Sequence, residues 1–335
     1  MNLDQRISAF GRLGVLLRNE ESTLLRDLAP LAANENPWFT GDNVFLALQG
    51  LQIMLDEVKL RSWISQYPVS DQPKTVGVAF AGNIPMVGFH DLLCILMAGH
   101  RLQGKLSSKD SVLMKYMVSR LVELEPAFAA HIIWSEHLKD VDAVIATGSD
   151  NTSRYFEYYF RNIPHIIRKN RTSCAVIRGT ESSAEWHDLG KDIFSYFGLG
   201  CRNVSKVLVP AGFDLTKLIP GWRSFEGVAQ HHKYVNNLDY QKSLLLINRT
   251  PFIDGGFFLL KEDTQLASPV SVIYYEQYES LGSLTGKLTA FGDKLQVVVS
   301  SDAWYEGSIP FGTAQLPELD DYADGRDTME FLTRL

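Results

Sequence analysis

The sequence predicts an α/β protein of two lobes, preceded by a helical segment. Three observations carry that prediction: a helical pattern over residues 5–68, alternating strands and helices from residue 75, and a second alternating run from about residue 172. Parallel strands need long crossover connections, usually helices, so each alternating run indicates βαβ units. We therefore predict a helical segment at 1–70, a first lobe at 71–170, a second lobe at 171–315 and a C-terminal tail at 316–335.

The helical segment is clearest from residue 42, where Asp42 is a candidate N-cap and apolar residues recur at helical spacing over 44–58. Residues 68–73 read as a short polar linker. The first lobe is predicted to contain strands at 75–81, 101–106 and 141–146 and helices at 85–98, 111–124 and 152–160. The second lobe is predicted to contain strands at 174–178, 204–209, 257–260, 270–275 and 295–300 and a helix at 181–197.

Composition narrows the classes of protein that fit. The 335 residues are 45% hydrophobic and 21% charged, which is typical of a folded globular chain. A net charge of −7 gives no support for nucleic-acid binding. The longest apolar run, Leu92 to Ala98, is too short to span a bilayer, and the N-terminal residues lack a secretory pattern. We expect no membrane span and a cytoplasmic location.

Three cysteines without a CxxC pair argue against a disulfide framework and against a structural zinc site. Cys94 and Cys174 sit in apolar runs and fit the usual buried cysteine. Cys201 differs, because Gly200 and Arg202 flank it in a predicted loop before a strand. A thiol there can attack a carbonyl, and an adjacent arginine favours the thiolate, although a buried apolar cysteine remains the alternative.

Two segments in the first lobe end predicted strands with polar groups. Asn83 offers a side-chain amide that suits an oxyanion site, or it serves as the N-cap of the next helix. Lys105 can bind ribose hydroxyls or phosphate, or it is a solvated lysine at a strand end.

Thr147, Gly148 and Ser149 form a turn between a predicted strand and a predicted helix. Free backbone N–H groups and the positive helix end make such a turn suitable for a pyrophosphate, although many structural turns share its composition. No GxGxxG fingerprint occurs in the chain.

Two other patterns carry less information. Adjacent His231 and His232 lack the spaced Cys, Asp or Glu partners of a metal site, so we predict none. The aromatic run at residues 155–160 is predicted to serve core and interface packing in a chain of this charge.

Five short segments, in order, resemble motifs of the aldehyde dehydrogenase superfamily, and most closely its acyl-CoA reductases of the LuxC type. Residues 81–85 resemble P-W-N-F-P, Lys105-Leu106-Ser107-Ser108 resembles K-P-S-E, and 147–149 resemble F-T-G-S. Residues 199–201 resemble the G-Q-x-C nucleophile loop, and 309–312 the late P-F-G segment. The resemblance implies a Rossmann-like cofactor lobe, an α/β catalytic lobe and a homo-oligomer.

The departures from the family pattern are informative. Oxidising members carry a water-activating glutamate in an E-L-G-G stretch, whereas the corresponding residues here, 166–170, contain no acid. Ser108 replaces the glutamate of K-P-S-E, which removes a repulsion against a 2′-phosphate and implies NADPH, with NADH as the alternative. Gln265 replaces the glutamate of E-x-F-G-P, so binding of the nicotinamide ribose is in question.

The resemblance implies that Cys201 attacks an acyl thioester, that Asn83 holds the oxyanion, and that NAD(P)H reduces the acyl-enzyme to an aldehyde. Lys105, Ser107, Ser108, Thr147, Gly148, Ser149 and Gln265 are the implied cofactor residues. The acyl donor is acyl-CoA or an acylated partner protein. The alternatives are a CoA-acylating dehydrogenase working oxidatively, a hydrolytic aldehyde dehydrogenase, an acyltransferase without redox chemistry, and a non-catalytic binding or assembly protein of the same fold.

Overall fold

The computed structural model describes residues 1–69 and 72–335, which form two compact units. The first unit comprises Met1–Asn170 together with Pro317–Leu335, and the second comprises Arg171–Leu316. The linker predicted over residues 68–73 includes positions 70 and 71, which lie outside the described residues.

The first unit opens with helices, as predicted for residues 5–68. There are five: α1 (Leu3–Asn19), α2 (Glu21–Asp27), α3 (Ala29–Glu35), α4 (Gly41–Met54) and α5 (Glu57–Ile64). The predicted N-cap Asp42 is wrong. Thr40 has the extended backbone of a cap, and its hydroxyl accepts the N–H of Asn43 at 3.3 Å. Asp42 lies within the first turn of α4, where a carboxylate complements the positive helix end.

A five-stranded parallel sheet follows in the same unit, in the order β3-β2-β1-β4-β5. Its strands are β1 (Thr75–Ala79), β2 (Arg101–Lys105), β3 (Ile132–Trp134), β4 (Ala143–Thr147) and β5 (His165–Arg168), and the helices that accompany them are α6 (Phe89–Met97), α7 (Val112–Leu124) and α8 (Asp150–Phe160). The sequence analysis missed β3 and β5, which are only three and four residues long.

Helix α6 begins four residues later than predicted. The predicted start was residue 85, but Met86 has a left-handed backbone, with φ of 54°. Its N–H donates to the Asp110 carboxylate at 2.7 Å rather than to a helical carbonyl. The residues after Asn83 therefore form a turn, and α6 starts at Phe89.

The C-terminal residues complete the first unit. The hydroxyl of Tyr322 accepts the indole N–H of Trp63 and bonds the hydroxyl of Tyr67, both at 2.8 Å, and Tyr67 donates to Asp327 at 2.8 Å. The last helix (Thr328–Thr333) contributes a buried hydroxyl, Thr328, to the core. Tyr322 and Asp327 thus join the segment before that helix to α5 and to Tyr67 beyond it.

The second unit is built on a seven-stranded sheet of order β12-β11-β6-β7-β10-β9-β8, parallel except for the β8–β9 pair. Its strands are β6 (Thr172–Val176), β7 (Val204–Pro210), β8 (Ile253–Asp254), β9 (Leu259–Glu262), β10 (Val272–Tyr278), β11 (Leu295–Ser300) and β12 (Ile309–Pro310). Its helices are α9 (Ser183–Phe194), α10 (Leu218–Trp222), α11 (His232–Ile247) and α12 (Leu281–Phe291).

The helix predicted over 181–197 ends earlier, because the residues after Phe194 leave helical geometry. The sequence analysis also missed α11, whose few buried side chains give it a weak helical pattern. Within residues 1–69 and 72–335, no helix is long and apolar enough to cross a membrane.

Candidate functional site

Cys201 lies half-buried in a turn between α9 and β7, and Asn203 organises that turn. The Asn203 side chain is 1% exposed. Its Nδ2 donates to the carbonyls of Asp192 and Ser195 at 3.0 and 2.9 Å, and its Oδ1 accepts the N–H of Gly200 at 2.8 Å. A buried amide bonded at both its oxygen and its nitrogen restrains the backbone around it, and here it restrains the cysteine loop.

A left-handed turn leads into the cysteine loop. Tyr196, Phe197 and Gly198 have φ values of 52°, 55° and 76° in succession. A left-handed conformation costs a side-chain-bearing residue about 1–2 kcal/mol. The rings of Tyr196 and Phe197 are buried, and this packing offsets the strain. Such strain often accompanies function, and here it directs the chain from α9 into the Cys201 turn.

The loop is also joined to the segment after β12. Arg202 donates from Nε to the carbonyl of Ala314 at 2.6 Å. The Asp192 carboxylate accepts the N–H groups of Gly312 and Ala314 at 2.7 and 3.0 Å, and burial raises the pKa of Asp192 to about 7. The nucleophile-like and P-F-G-like segments therefore share one hydrogen-bond network, and Arg202 contributes to it structurally.

The other two cysteines are fully buried. Burial raises the pKa of Cys94 well above its usual value and that of Cys174 to about 12. Both thiols are therefore protonated at neutral pH, and Cys201 is the cysteine that solvent can reach.

Asn83 is exposed in the turn between β1 and α6. It is not the N-cap of α6, because Gly88 occupies that position. The turn that carries it is held from two sides: Asn36 donates from Nδ2 to the Gly82 carbonyl at 3.2 Å, and Asp110 accepts the Met86 N–H.

Three of the predicted segments meet at one edge of the first sheet. Strand β1 has β2 on one side and β4 on the other, all parallel. Asn83 follows β1, Lys105 ends β2 and Thr147 ends β4. The carboxyl ends of parallel strands share one edge, and a point where the strand order reverses is the usual ligand crevice of such sheets.

The turn after β4 is shorter than predicted, because α8 starts at Asp150. Ser149 is its N-cap and accepts the Thr152 N–H at 3.4 Å, while the Gly148 N–H donates to the Arg168 carbonyl at 3.2 Å. A Cβ at Gly148 would lie 3.0 Å from the Thr152 side chain. Phe156 would lie 3.3 Å from the same Cβ, so a side chain at position 148 would be crowded. The turn thus presents a helix N-terminus, which suits an anionic group.

The segment after β2 lies against the Asn83 turn. A Cβ on Gly82 would lie 2.5 Å from the Ser107 hydroxyl, so only glycine fits at that position. Ser107 accepts the Lys109 N–H at 3.2 Å, and the side chains of Lys105 and Ser108 are exposed.

Gln265 lies in the second unit, in a loop that Lys206 of β7 holds. Lys206 is 0% exposed, and its Nζ donates to the carbonyls of Asp263 and Gln265 at 2.8 and 3.3 Å and to the Glu276 carboxylate at 2.5 Å. The sequence analysis missed Lys206. Its signal was a lysine among the apolar residues of a buried strand, since buried lysines are rare unless paired.

The two histidines noted above stack on each other, with ring centroids 5.1 Å apart. Among residues 1–69 and 72–335, no group of three or more His, Cys, Asp or Glu side chains is arranged to hold a metal ion.

Solved structures match this architecture over most of its length. The NAD+ complex of an aldehyde dehydrogenase from Mycobacterium tuberculosis superposes with a TM-score of 0.63 at 12% identity, covering 90% of this chain and 73% of that one. The NAD+ complex of an aldehyde dehydrogenase from Bacillus cereus gives 0.62 at 12% identity over 90% and 72%. A variant of proline utilization A from Bradyrhizobium japonicum gives 0.66 at 14% identity over 90% and 36%.

The chain has the aldehyde dehydrogenase fold. The predicted fold class is therefore confirmed, including the Rossmann-like lobe, the second α/β lobe and the helical N-terminus. These structures share only 12–14% sequence identity with this chain, so the similarity concerns the fold. No protein-family model and no curated protein sequence matches the chain.

The buried Asp110 beside the Asn83 turn predicts a pH-dependent stability. Burial raises its pKa to about 7, from an ordinary value near 4, and no described residue bonds its Oδ1. The folded state therefore binds more protons between these values, and its stability falls as pH rises towards 7. Between about pH 5 and about pH 8, the free energy of unfolding of the wild type should fall by about 2–3 kcal/mol because of this group. Asp110→Asn should not show that part of the fall.

Urea unfolding at several pH values measures this effect, with the exposed Asp42→Asn as control. Identical pH profiles for wild type and Asp110→Asn would contradict the prediction.

Proposed function

We propose that the chain reduces an acyl thioester to an aldehyde with NAD(P)H, through an acyl-Cys201 intermediate. The observation that carries the proposal is the accessible Cys201 in a loop that Asn203 and the left-handed turn hold in one conformation, within an aldehyde dehydrogenase fold. Covalent catalysis requires a nucleophile that is held in a fixed position relative to the substrate, and this loop provides one.

The first step is an acyl transfer. The Cys201 thiolate forms a bond to the thioester carbonyl carbon, and the carbon–sulfur bond to the donor breaks, releasing the donor as a thiolate that takes up a proton. The oxyanion formed in between is held by the Asn83 amide and the Cys201 backbone N–H, as the resemblance implies. The product of this step is a thioester on Cys201.

Residues at the edge of the first sheet suit a dinucleotide. The helix N-terminus at Ser149 and the exposed Lys105 offer a positive helix end and a positive charge for phosphates, and Gly148 adds no side chain to the turn. A bound nicotinamide supplies the hydride for the acyl group. The protein's part is to hold the thioester of Cys201 in place and to release the aldehyde by expelling the cysteine sulfur.

Residues 166–170, which correspond to the stretch with the water-activating glutamate in the oxidising members, support the reductive direction. Arg168 there is buried, and it pairs with Asp91 at 2.6 Å and donates to Thr328 at 3.0 Å. No carboxylate from residues 166–170 is present to activate water. An acyl-enzyme without such a base hydrolyses slowly and persists for reduction or for transfer back to a thiol.

The test is oxidation of NADPH and NADH with a series of acyl-CoAs and with an acylated carrier protein, followed by cofactor absorbance. Aldehyde formation supports the reductase. Acyl-CoA formation from aldehyde, NAD(P)+ and CoA, without the reverse reaction, indicates the oxidative alternative. Cys201 acylation without cofactor binding indicates an acyltransferase, and neither activity indicates the non-catalytic alternative.

NADPH is the cofactor we propose, because Ser108 places no negative charge near the 2′-phosphate. Ser108→Glu should lower the ratio of kcat/KM for NADPH to that for NADH by about tenfold or more, since two like charges at close range repel. Steady-state kinetics with both cofactors measures the ratio. Ser119→Glu, on the exposed face of α7, adds the same charge elsewhere and should leave the ratio unchanged. An unchanged ratio in Ser108→Glu contradicts this assignment.

Lys206 is proposed to position the Gln265 loop for the cofactor. Lys206→Met should raise the KM for NAD(P)H about tenfold and leave the acylation rate of Cys201 nearly intact, because Lys206 bonds the loop that carries Gln265. Acylation bursts and cofactor titrations separate the two effects. Lys287→Met is the matched control, since Lys287 pairs with the same Glu276 but donates to no carbonyl of the loop. Equal losses in both measurements would show a general structural role.

A further inference from the structure

A cavity of about 210 Å³ lies in the second unit, between the segments that flank Cys201 and the segment that follows Gln265. Phe197 and Leu199 precede Cys201 and line one side, and Ser205 follows it. Residues 268–273 line the opposite side. The cavity therefore borders both the proposed nucleophile loop and the proposed cofactor loop.

The serine hydroxyl groups in the cavity wall already donate hydrogen bonds to nearby backbone carbonyls. Ser205 donates to the Leu266 carbonyl at 2.8 Å, Ser268 to the Val272 carbonyl at 2.6 Å, and Ser271 to the Val270 carbonyl. The remaining lining side chains are mostly aliphatic or aromatic. The wall therefore offers mainly apolar contact, and an apolar group gains free energy by entering it.

Tyr234 of α11 is the exception in this wall. Its side chain is 2% exposed, and its ring packs near Phe197 with centroids 6.0 Å apart. The structure shows no hydrogen bond from its hydroxyl to another described residue, and that oxygen is not one of the fully buried polar atoms without a partner, so a water or a ligand can reach it. Burial raises the pKa of Tyr234, so the hydroxyl keeps its proton and can donate it. A bound molecule with an oxygen acceptor would therefore give the Tyr234 hydroxyl a hydrogen-bond partner.

We propose that this cavity binds the acyl chain of the thioester substrate, and that the substrate chain carries an oxygen that accepts a hydrogen bond from Tyr234. This inference rests on the proposed function. An apolar cavity of about 150 Å³ accommodates benzene, with six carbons, so the present volume corresponds by proportion to about eight carbons. The substrate class is thus a medium-chain acyl thioester with a hydroxyl or keto oxygen on the chain.

The inference is tested by measuring kcat/KM for acyl-CoAs from butanoyl to hexadecanoyl. Each chain length is tested without a substituent and as its 3-hydroxy and keto derivatives. We expect a maximum near octanoyl and a preference for the oxygenated chains. Tyr234→Phe should reduce that preference about tenfold, because it removes the hydrogen bond that distinguishes the oxygenated chains from plain octanoyl-CoA. Tyr240→Phe, an exposed tyrosine on the same helix, is the control.

Val270→Trp fills the cavity and should lower the ratio of kcat/KM for octanoyl-CoA to that for acetyl-CoA at least about tenfold. Leu246→Trp, on the exposed face of α11, is its control. An active enzyme whose chain-length profile is the same with and without Val270→Trp overturns the acyl assignment. Loss of NAD(P)H affinity alone in that variant assigns the cavity to the cofactor ring instead. If no acyl-CoA acylates Cys201 in the wild type, the proposed function itself fails, and this inference fails with it.

Discussion

Replacing Cys201 with serine should lower acyl-thioester reduction by at least about 10⁴-fold, because a serine hydroxyl is a much weaker nucleophile than a cysteine thiolate. The free energy of unfolding should change by less than about 1 kcal/mol, since the side chain is only half-buried. Mass spectrometry after a pulse of acyl-CoA should show an acyl adduct on the wild type and none on the variant. Reductase activity that survives in Cys201→Ser would overturn the mechanism.

The other two cysteines provide matched controls. Cys94→Ser and Cys174→Ser place a hydroxyl in apolar, fully buried sites and should destabilise the fold by about 1–3 kcal/mol. Activity per folded molecule should nevertheless be retained, because neither thiol is accessible. Rapid alkylation by iodoacetamide near neutral pH should likewise be confined to Cys201.

Asn83→Ala should slow acylation by about 10²–10³-fold, the usual cost of removing one oxyanion donor. The melting temperature should hardly change, because Asn83 is exposed and does not cap α6. The rate of CoA release in a stopped-flow experiment measures the acylation step directly. Asn19→Ala, an exposed asparagine at the end of α1, is the control. Wild-type acylation in Asn83→Ala would remove this residue from the site and leave the oxyanion without its proposed side-chain donor.

The sequence predicted many of the strands and helices in their order, because the pattern of apolar residues that marks them is local. The helical character of residues 5–68 and the position of strand β11 were predicted from the pattern of apolar residues, which burial imposes on the chain. Predicted helix and strand boundaries were wrong where a hydrogen bond to a residue elsewhere in the chain determines where the element begins or ends. Met86 leaves the helix because Asp110, far along the chain, accepts its N–H. Strand β3 is too short to show a period at all.

The candidate site was predictable to the same extent. Asn83, Lys105 and Thr147 were identified at strand ends, and the structure brings those ends to one edge of the sheet. Asn203 and Lys206 were missed, because their importance lies in hydrogen bonds to residues about 10 and 60 positions away. Such partners follow from tertiary packing and leave no local pattern in the chain.

The return of residues 317–335 to the first unit makes the second unit an insertion within the first. During synthesis the inserted unit is complete before the host unit receives its last segment, including the Tyr322 hydroxyl that Trp63 bonds across more than 250 residues. The early helices and first sheet must therefore wait for the final part of the chain, with their closing surface uncovered in the interval. Folding of the first unit thus includes a late step between residues that are far apart in the chain.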